Sequence, residues 1–359
     1  MSSTLRLSLV LFAFSLAACS GRSTRPPQDG SVPTDGSSPS DGGPGIDFGP
    51  GHDAGPGVDA GTPDTVDPTC LDGMYSETLP DPHASLSGLS YTGDIPGFVD
   101  AALGRRYPFG QMQVAGGRMD SSFGDCAVVF AGSPTSAGDV YRSLDTIVHE
   151  CGHLNDGRMG SGATNAYVIN PATTFSCTRG DAMDRGGDTF ARSLITGDSY
   201  ASARPECPSG SFSPGCDPYR SIYLNGNPTD GTFDSGDQGY NLLLEEAVQY
   251  INSLATGYAY QDQLGGGSTS DRDGILTFLW YVERYLHLAR ASYPAAYMRI
   301  ANDMCWRRAT LTVWGRAWLY LQTTRGMRAL GIDDAAIDTL VRDPALLDEI
   351  QRLRALEGC

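Results

Sequence analysis

The sequence contains no lysine, so its 25 basic residues are all arginine, and they face 42 acidic residues. The formal net charge is therefore −17, part of which comes from an aspartate-rich segment near the start of the chain. No stretch combines clustered basic residues with interleaved aromatic residues, which is the usual footprint of a nucleic-acid-binding protein. We therefore expect no nucleic-acid partner, and the strong negative charge favours solubility.

The apolar run near the N-terminus, residues 7–16, is too short to span a bilayer and has the length of a signal-peptide core. It ends in Leu16-Ala17-Ala18-Cys19, which resembles a bacterial lipobox. This resemblance implies that Cys19 is lipidated and holds the protein to a membrane of the cell envelope, with the outer membrane favoured. An ordinary secretory signal is the alternative, and both predict export from the cytoplasm.

Residues 20–69 are dominated by Gly, Pro, Asp and Ser and contain almost no large apolar side chains. Such a composition cannot form a packed core, so this segment is predicted to be a disordered tether. We divide the chain into a signal peptide (1–19), the tether, a catalytic domain (70–270) and a helical C-terminal subdomain (271–359).

Cysteine occurs nine times but never as a CxxC pair, which argues against a cysteine-rich zinc ribbon. If Cys19 carries lipid, eight cysteines remain, and an even number in an exported protein predicts disulfides. Cys207 and Cys216 bracket a short loop, so we predict that they pair. The sequence leaves the other pairings open.

The hydrophobic pattern predicts an α+β protein. A helix is expected over 94–108, strands over 109–117 and 126–132, and a helix over 143–156 that is capped by Ser143 and ended by Gly157. Residues 157–239 have an irregular pattern. Further helices are predicted over 240–260, 273–291, 294–331, 333–342 and 344–356. The tryptophans on these helices are predicted to be packing residues of the core: Trp280, Trp306, Trp314 and Trp318.

Residues 149–153, HECGH, form an HExxH pattern, which should arise by chance in roughly 0.2% of shuffled chains of this composition. On a helix His149 and His153 lie one turn apart on the same face, so their imidazoles can converge on one metal ion. Glu150 stands beside them as a base for a water molecule. Gly152 is unfavourable inside a helix and indicates close packing there. The alternative is that the two histidines only cap or pair on a core helix.

This motif and the predicted order of elements before it resemble the zincin metallopeptidases. The resemblance covers about residues 90–260. It implies a small mixed sheet that precedes an active-site helix. The hydrophobic pattern predicts that an all-helical C-terminal part follows. The resemblance also implies a Zn²⁺ cofactor and a peptide or protein substrate.

The third metal ligand must come from elsewhere, and the branches of the zincins differ in this ligand. The metzincin pattern fails, because Asp156 and Met159 occupy its glycine and ligand positions. The gluzincin branch takes a glutamate from a later helix, which implies Glu246 at the edge of an apolar helix face. Glu245, on the polar face, is an alternative. The aspzincin branch would use Asp234, in a partial GTxD match.

The resemblance also implies a residue that stabilises an oxyanion, for which His287 or a tyrosine from 240–260 is a candidate. Tyr250 stands where the thermolysin-like branch has an aspartate. The predicted function is an extracytoplasmic zinc-dependent metalloendopeptidase in which Glu150 and His287 are catalytic and His149, His153 and Glu246 hold Zn²⁺. The alternatives are a catalytically inactive zincin-fold lipoprotein that acts as a binding module, and a zinc hydrolase acting on a non-peptide amide.

Overall fold

The computed structural model describes residues 75–120, 122, 124–180, 191–208, 213–224 and 238–359. The predicted signal peptide, the lipidated Cys19, the tether and the alternative ligand Asp234 lie outside these described residues. Within them the protein is mixed but mostly helical, with a two-stranded antiparallel sheet, which agrees with the predicted α+β class. No helix in the described part has the length and apolarity that crossing a membrane requires.

The helices before the sheet, α1 to α4, are Ile95–Arg106, Pro108–Gly117, Cys126–Ala131 and Ala137–Met159. A hairpin follows, formed by β1 and β2, which are Thr164–Asn170 and Thr173–Thr178. The later helices, α5 to α11, are Arg220–Tyr223, Tyr240–Tyr260, Asp271–Ser292, Pro294–Ala301, Met304–Thr323, Asp334–Val341 and Pro344–Leu356. Short 3₁₀ helices cover Arg192–Gly197, Gln261–Gln263 and Arg328–Leu330.

The first predicted helix is confirmed as α1, but the two strands predicted after it are wrong, because both segments are helical. Pro108 begins α2, and Gly117 lies so close to α4 that an added Cβ would fall 2.2 Å from the carbonyl oxygen of Cys151. Asp125 caps α3, since its carboxylate accepts a hydrogen bond from the backbone amide two residues on. Capping and close helix packing outweigh the β propensity of these short segments.

Helix α4 carries the HECGH motif and is longer than predicted. It begins after Ser136, whose hydroxyl accepts a hydrogen bond from the backbone amide of Asp139 at 3.2 Å. The Asp139 carboxylate accepts from that hydroxyl in turn, which makes a reciprocal cap. The predicted cap, Ser143, instead lies inside the helix and donates to the carbonyl of Asp139. The predicted end at Gly157 is also wrong, because the helix continues to Met159.

The hairpin lies in the segment that was predicted to be irregular, directly after α4. Its strands are antiparallel, with a register shift between Val168 and Asn170. The backbone amide of Val168 donates to the carboxylate of Asp156 at 3.1 Å, which holds β1 against the end of α4. In the described residues the sheet therefore follows the HECGH helix, whereas the resemblance implied that it precedes this helix.

The helices predicted after residue 239 are confirmed in place, except that the one expected over 294–331 is divided into α8 and α9 and ends earlier, at Thr323. The division occurs at Asp303, whose carboxylate accepts from the backbone amide of Cys305 at 2.9 Å and so begins a new helix. The four tryptophans are buried, as predicted for packing residues: Trp280, Trp306, Trp314 and Trp318. Buried side chains from both sides of residue 270 form one hydrophobic core.

Three disulfides have both of their cysteines in the described residues. The predicted Cys207–Cys216 pair is confirmed. Cys126–Cys151 joins α3 to α4, and Cys177–Cys305 joins β2 to α9. Cys359 is also disulfide-bonded.

Candidate metal centre

Two buried helices bring three potential ligands together. Helix α4 presents His149 and His153 one turn apart, with ring centroids separated by 4.7 Å. Helix α6 packs against α4 and contributes Glu246, whose Oε2 lies 3.5 Å from Nε2 of His149 and 3.6 Å from Nε2 of His153. All the potential ligand atoms lie within 4.8 Å of one another. Among the described residues, this group could hold a metal ion.

The spacing fits a small tetrahedral cation. Two ligands that each lie about 2.0–2.1 Å from such an ion are separated by about 3.3–3.4 Å. The observed separations of 3.5 and 3.6 Å from Glu246 to the two rings are close to this value. The separations between Glu246 and each histidine are therefore compatible with binding to one ion.

The carboxylate of Glu246 is the strongest indication that this group binds a cation. Only 1% of Glu246 is exposed, and its Oε2 makes no hydrogen bond with any described residue. A buried charged oxygen without a partner is costly, and either a proton or a cation removes that cost. The Nε2 atoms of both histidines point to the same oxygen, so a shared metal ion would satisfy all three groups.

Each histidine is oriented through its other ring nitrogen. Nδ1 of His149 lies 3.1 Å from the hydroxyl of Ser253, and Nδ1 of His153 lies 2.5 Å from Oε2 of Glu245. Such outer contacts fix the ring tautomer and orient Nε2 toward Glu246. Glu245, the alternative ligand, is therefore placed behind His153 and is buried, not on a solvated face as the helical wheel suggested.

A polar network continues from these contacts and joins the two helices. The side-chain amide of Gln249 donates to Glu245 at 3.1 Å and to Asp156 at 3.0 Å. Asn252 donates to the amide oxygen of Gln249 at 2.9 Å. Gln249 reaches α4 because Gly152 has no side chain there, which confirms the close packing predicted at this glycine.

Burial and mutual charge perturb the pKa values of the three residues. Burial lowers the pKa of His149 to about 4, with a further contribution from His153. Burial raises the pKa of Glu246 to about 7, and the carboxylate of Glu245 adds to this. Burial disfavours the charged form of His153, but Glu245 and Glu246 raise its pKa well above the ordinary value. The buried acidic groups therefore favour a cation among these three residues, either a proton or a metal ion.

Glu150 lies on α4 next to His149 and is buried, with 7% exposure. Its negative charge raises the pKa of both histidines. A carboxylate beside a metal centre can accept a proton from an attacking water.

Tyr250 packs its ring edge-on against His149, with centroids 4.7 Å apart. Its hydroxyl lies 3.4 Å from that of Tyr223 in α5. Tyr250 thus holds the ring of His149 by packing, while Ser253 supplies the hydrogen bond. The sequence reasoning missed Ser253 and Tyr223. Ser253 lies seven residues after Glu246, two turns along the same face, and this spacing was a usable signal.

The structure does not bring His287 to this group. Its Nδ1 lies 3.0 Å from a carboxylate oxygen of Glu349 in α11, and its ring packs edge-on against Tyr200. Arg290 pairs with the same carboxylate. His287 was selected as an unused histidine, and its position gives that choice no support, because these contacts place it in an ion-pair network between α7 and α11.

A cavity of about 190 Å³ opens beside His153, between the end of α4, strand β1 and the start of α6. His153, Asp156, Tyr167 and Glu245 contribute to its walls. A ligand in this cavity would therefore lie next to the metal group.

No protein family model, no curated protein and no solved structure matches this chain. The site is therefore assigned from its geometry alone: two histidines and one carboxylate form a buried group on two packed helices. Such a group could hold a metal ion.

Proposed function

We propose that the protein is a zinc-dependent metallopeptidase that acts outside the cytoplasm. The observation that carries this proposal is the unpartnered Oε2 of Glu246, which faces Nε2 of both His149 and His153. Nitrogen and carboxylate ligands in a tetrahedral arrangement suit zinc, and catalytic zinc sites use three protein ligands and leave a fourth position open. The helix order, with HExxH first and the glutamate on a later helix, favours a gluzincin-like assignment.

In this proposal His149, His153 and Glu246 hold the ion, while Ser253 and Glu245 orient the two rings. The bound ion supplies Lewis acidity, which polarises a peptide carbonyl and makes water a better nucleophile. Glu150 accepts the proton of the attacking water and then delivers it to the nitrogen of the leaving amine. Burial of the site strengthens each of these charge interactions.

Two measurements on the purified protein test this function. Metal analysis should find about one zinc per chain, and treatment with a chelator should abolish hydrolysis of a peptide library. Glu150→Gln should retain zinc and lose hydrolysis, because the substitution keeps the side-chain shape and removes the base. Absence of stoichiometric zinc would refute the metal assignment, and full activity of Glu150→Gln would refute the role of Glu150.

The second candidate function is a metal-bearing binding module without hydrolytic activity. It is favoured by the position of His287, which leaves the oxyanion donor without an identified residue. Zinc bound at full occupancy without hydrolysis of any library peptide would support this function and exclude the first.

We further propose that the protein is exported and held to the cell envelope through lipid on Cys19. The three disulfides whose two cysteines both lie in the described residues suit an oxidising compartment. Incorporation of labelled fatty acid should disappear in Cys19→Ala. Equal labelling of the two proteins would contradict lipidation at this position.

A further inference from the structure

The polar network behind His153 extends through the core to the segment that opens the described chain. Arg316 of α9 donates to the side-chain oxygen of Asn252 at 2.8 Å. Its Nε also lies 3.0 and 3.2 Å from the two carboxylate oxygens of Glu77. The side chain of Arg316 is fully buried, and that of Glu77 is 8% exposed. The network therefore connects the metal group with a segment that begins shortly after the predicted tether.

Arg316 is held in one position from several sides. Its guanidinium donates to the hydroxyl of Tyr107 at 3.3 Å and lies over the ring of Phe109, 5.3 Å from the ring centroid. The carboxylate of Glu77 balances its charge and also accepts from the hydroxyl of Tyr320 at 2.6 Å. A buried cation that is paired and hydrogen-bonded in this way is fixed in orientation as well as in place.

The direction of the hydrogen bonds in this network follows from the chemistry of its two ends. The guanidinium of Arg316 can only donate, whereas the carboxylate of Glu245 only accepts. Asn252 and Gln249 lie between them, and an amide can present either its oxygen or its nitrogen to a neighbour. Because Arg316 takes the oxygen of Asn252, the nitrogen of Asn252 turns to Gln249 and donates to its amide oxygen at 2.9 Å.

Gln249 transmits this orientation to the ligand His153. Its nitrogen faces Glu245 and Asp156, at 3.1 and 3.0 Å, and the reverse orientation would set its oxygen against the oxygens of both side chains. The other oxygen of Glu245 meets Nδ1 of His153. The ring is thereby held with Nε2 toward Glu246. The same side chains thus connect Arg316 with the orientation of a metal ligand.

We propose that Arg316, held by Glu77, is a positioning residue of the metal centre. It sets the orientation of the amides of Asn252 and Gln249, and these in turn fix the carboxylate that orients His153. The inference rests on the proposed function only for the bound metal ion. It adds the N-terminal end of the folded chain to the support of the site, without any contact between Arg316 and the ion.

Co²⁺ is the probe for this role, because its visible absorption depends on the geometry of its ligands. Its affinity and spectrum are measured on the full-length chain, together with the urea midpoint of unfolding. Asn252→Asp keeps the shape of the side chain and its bond to Arg316, which favours the charged carboxylate. The new carboxylate cannot donate to Gln249, so the amide of Gln249 should turn or shift. Co²⁺ affinity should fall by about 10–100-fold, and the visible spectrum should change.

Two further variants test the far end of the network. Arg316→Lys keeps the charge but lacks the planar fork that contacts Glu77 and Asn252 together. Glu77→Gln keeps the shape and removes the charge that balances Arg316. Each should lower Co²⁺ affinity by about threefold to tenfold, less than Asn252→Asp, because more side chains separate the change from the ligand.

Thr256→Val is the matched control on α6. The buried hydroxyl of Thr256 donates to the backbone carbonyl of Asn252 at 2.8 Å and takes no part in the side-chain network. Its loss removes a buried hydrogen bond one turn from Asn252 without changing the amide orientations. Co²⁺ affinity and the visible spectrum should therefore stay as in the wild-type protein, even if the urea midpoint falls.

The outcomes separate this inference from the proposed function. Unchanged Co²⁺ affinity and spectrum in Asn252→Asp would overturn the positioning role, and so would equal losses in Asn252→Asp and Thr256→Val. If Asn252→Asp does not fold, Arg316→Lys and Glu77→Gln decide by the same criteria. The expected Co²⁺ results without hydrolysis by the wild-type protein would refute the peptidase and leave the positioning role standing. A wild-type protein that binds no Co²⁺ would overturn both the metal assignment and this inference.

Discussion

Gly152 of α4 lies against Gln249 of α6 so closely that a Cβ added to the glycine would fall 2.0 Å from the amide oxygen of Gln249. The absent side chain therefore permits the approach of the two helices that places Glu246 beside His149 and His153. The helix tolerates a glycine in its interior at a cost of about 0.5–1 kcal/mol relative to alanine.

The first prediction concerns this contact. Gly152→Ala should displace Gln249 and α6 and weaken zinc binding by about 10–100-fold, the range typical of lost supporting contacts. Zinc affinity is measured by competition with a chromogenic chelator. Gly157→Ala is the matched control, since it lies on the same helix with open space around it, and it should stabilise the fold slightly. Equal zinc affinities of the two variants would contradict the role of Gly152.

A second prediction separates the two adjacent glutamates of α6. Glu246→Gln should lower zinc affinity by more than about 100-fold because it removes a ligand, whereas Glu245→Gln should lower it by about 10–100-fold because it removes an orienting contact. Both variants change one atom at neighbouring buried positions, so each controls for the other. The assignment of ligands would be wrong if Glu245→Gln had the larger effect in the same chelator competition.

A third prediction concerns pH. Asp145 in α4 and Asp271 in α7 are buried carboxyl groups whose charges repel one another. Burial raises the pKa of Asp145 to about 6, compared with about 3.9 in an unfolded chain. Between these values the folded state keeps a proton that the unfolded state releases, so the free energy of unfolding falls as pH rises. In Asp145→Asn, the free energy of unfolding should fall by about 3 kcal/mol less over this pH range than it does in the wild-type protein.

Chemical denaturation at pH 4 and pH 7 measures this effect, with the wild-type protein and Asp145→Asn compared at both values. Asp139→Asn on the same helix is the control that should change stability almost equally at the two pH values. Hydrogen bonds from Thr135 and Ser136 lower the pKa of Asp139, so the stability that its carboxylate contributes is lost only at pH values below both measurements. The prediction would be contradicted if Asp145→Asn changed the free energy of unfolding by the same amount at both pH values.

A fourth prediction concerns the disulfide that joins the hairpin to α9. Cys177 and Cys305 are separated by 128 residues, and Cys207 and Cys216 by 9. Loop-closure entropy assigns about 5 kcal/mol to the long loop and about 2.5 kcal/mol to the short one. Replacing both cysteines of a pair by alanine should therefore destabilise the fold more at Cys177–Cys305. Urea unfolding of the two double variants checks this order, and the reverse order would contradict it.

The sequence predicted those parts of the site that depend on local spacing. The periodicity of a helix places His149 and His153 on one face, and the helical wheel placed Glu246 at the border of an apolar face, where the structure brings it to the histidines. The helices after residue 239 were predictable for the same reason, since their patterns extend over many turns.

The remaining features depend on contacts between distant segments. The segment 126–132 has strand-like residues, but the cap at Asp125 and the Cys126–Cys151 disulfide hold it as a helix against α4. His287 was chosen only because other histidines were already assigned, and its partner Glu349 is 62 residues away in the chain. The role of Ser253 required knowledge of how α6 packs on α4.

The Cys126–Cys151 disulfide has one of its sulfurs inside the HECGH motif, between the two histidine ligands. Oxidation of this pair fastens the metal-binding turn to α3, so assembly of the zinc site should depend on the redox state of the compartment. We expect the chain with reduced cysteines to bind zinc more weakly than the oxidised chain. For the exported metallopeptidase proposed above, this dependence would delay activity until export. Equal zinc affinity of the reduced and oxidised protein would contradict this dependence on redox state.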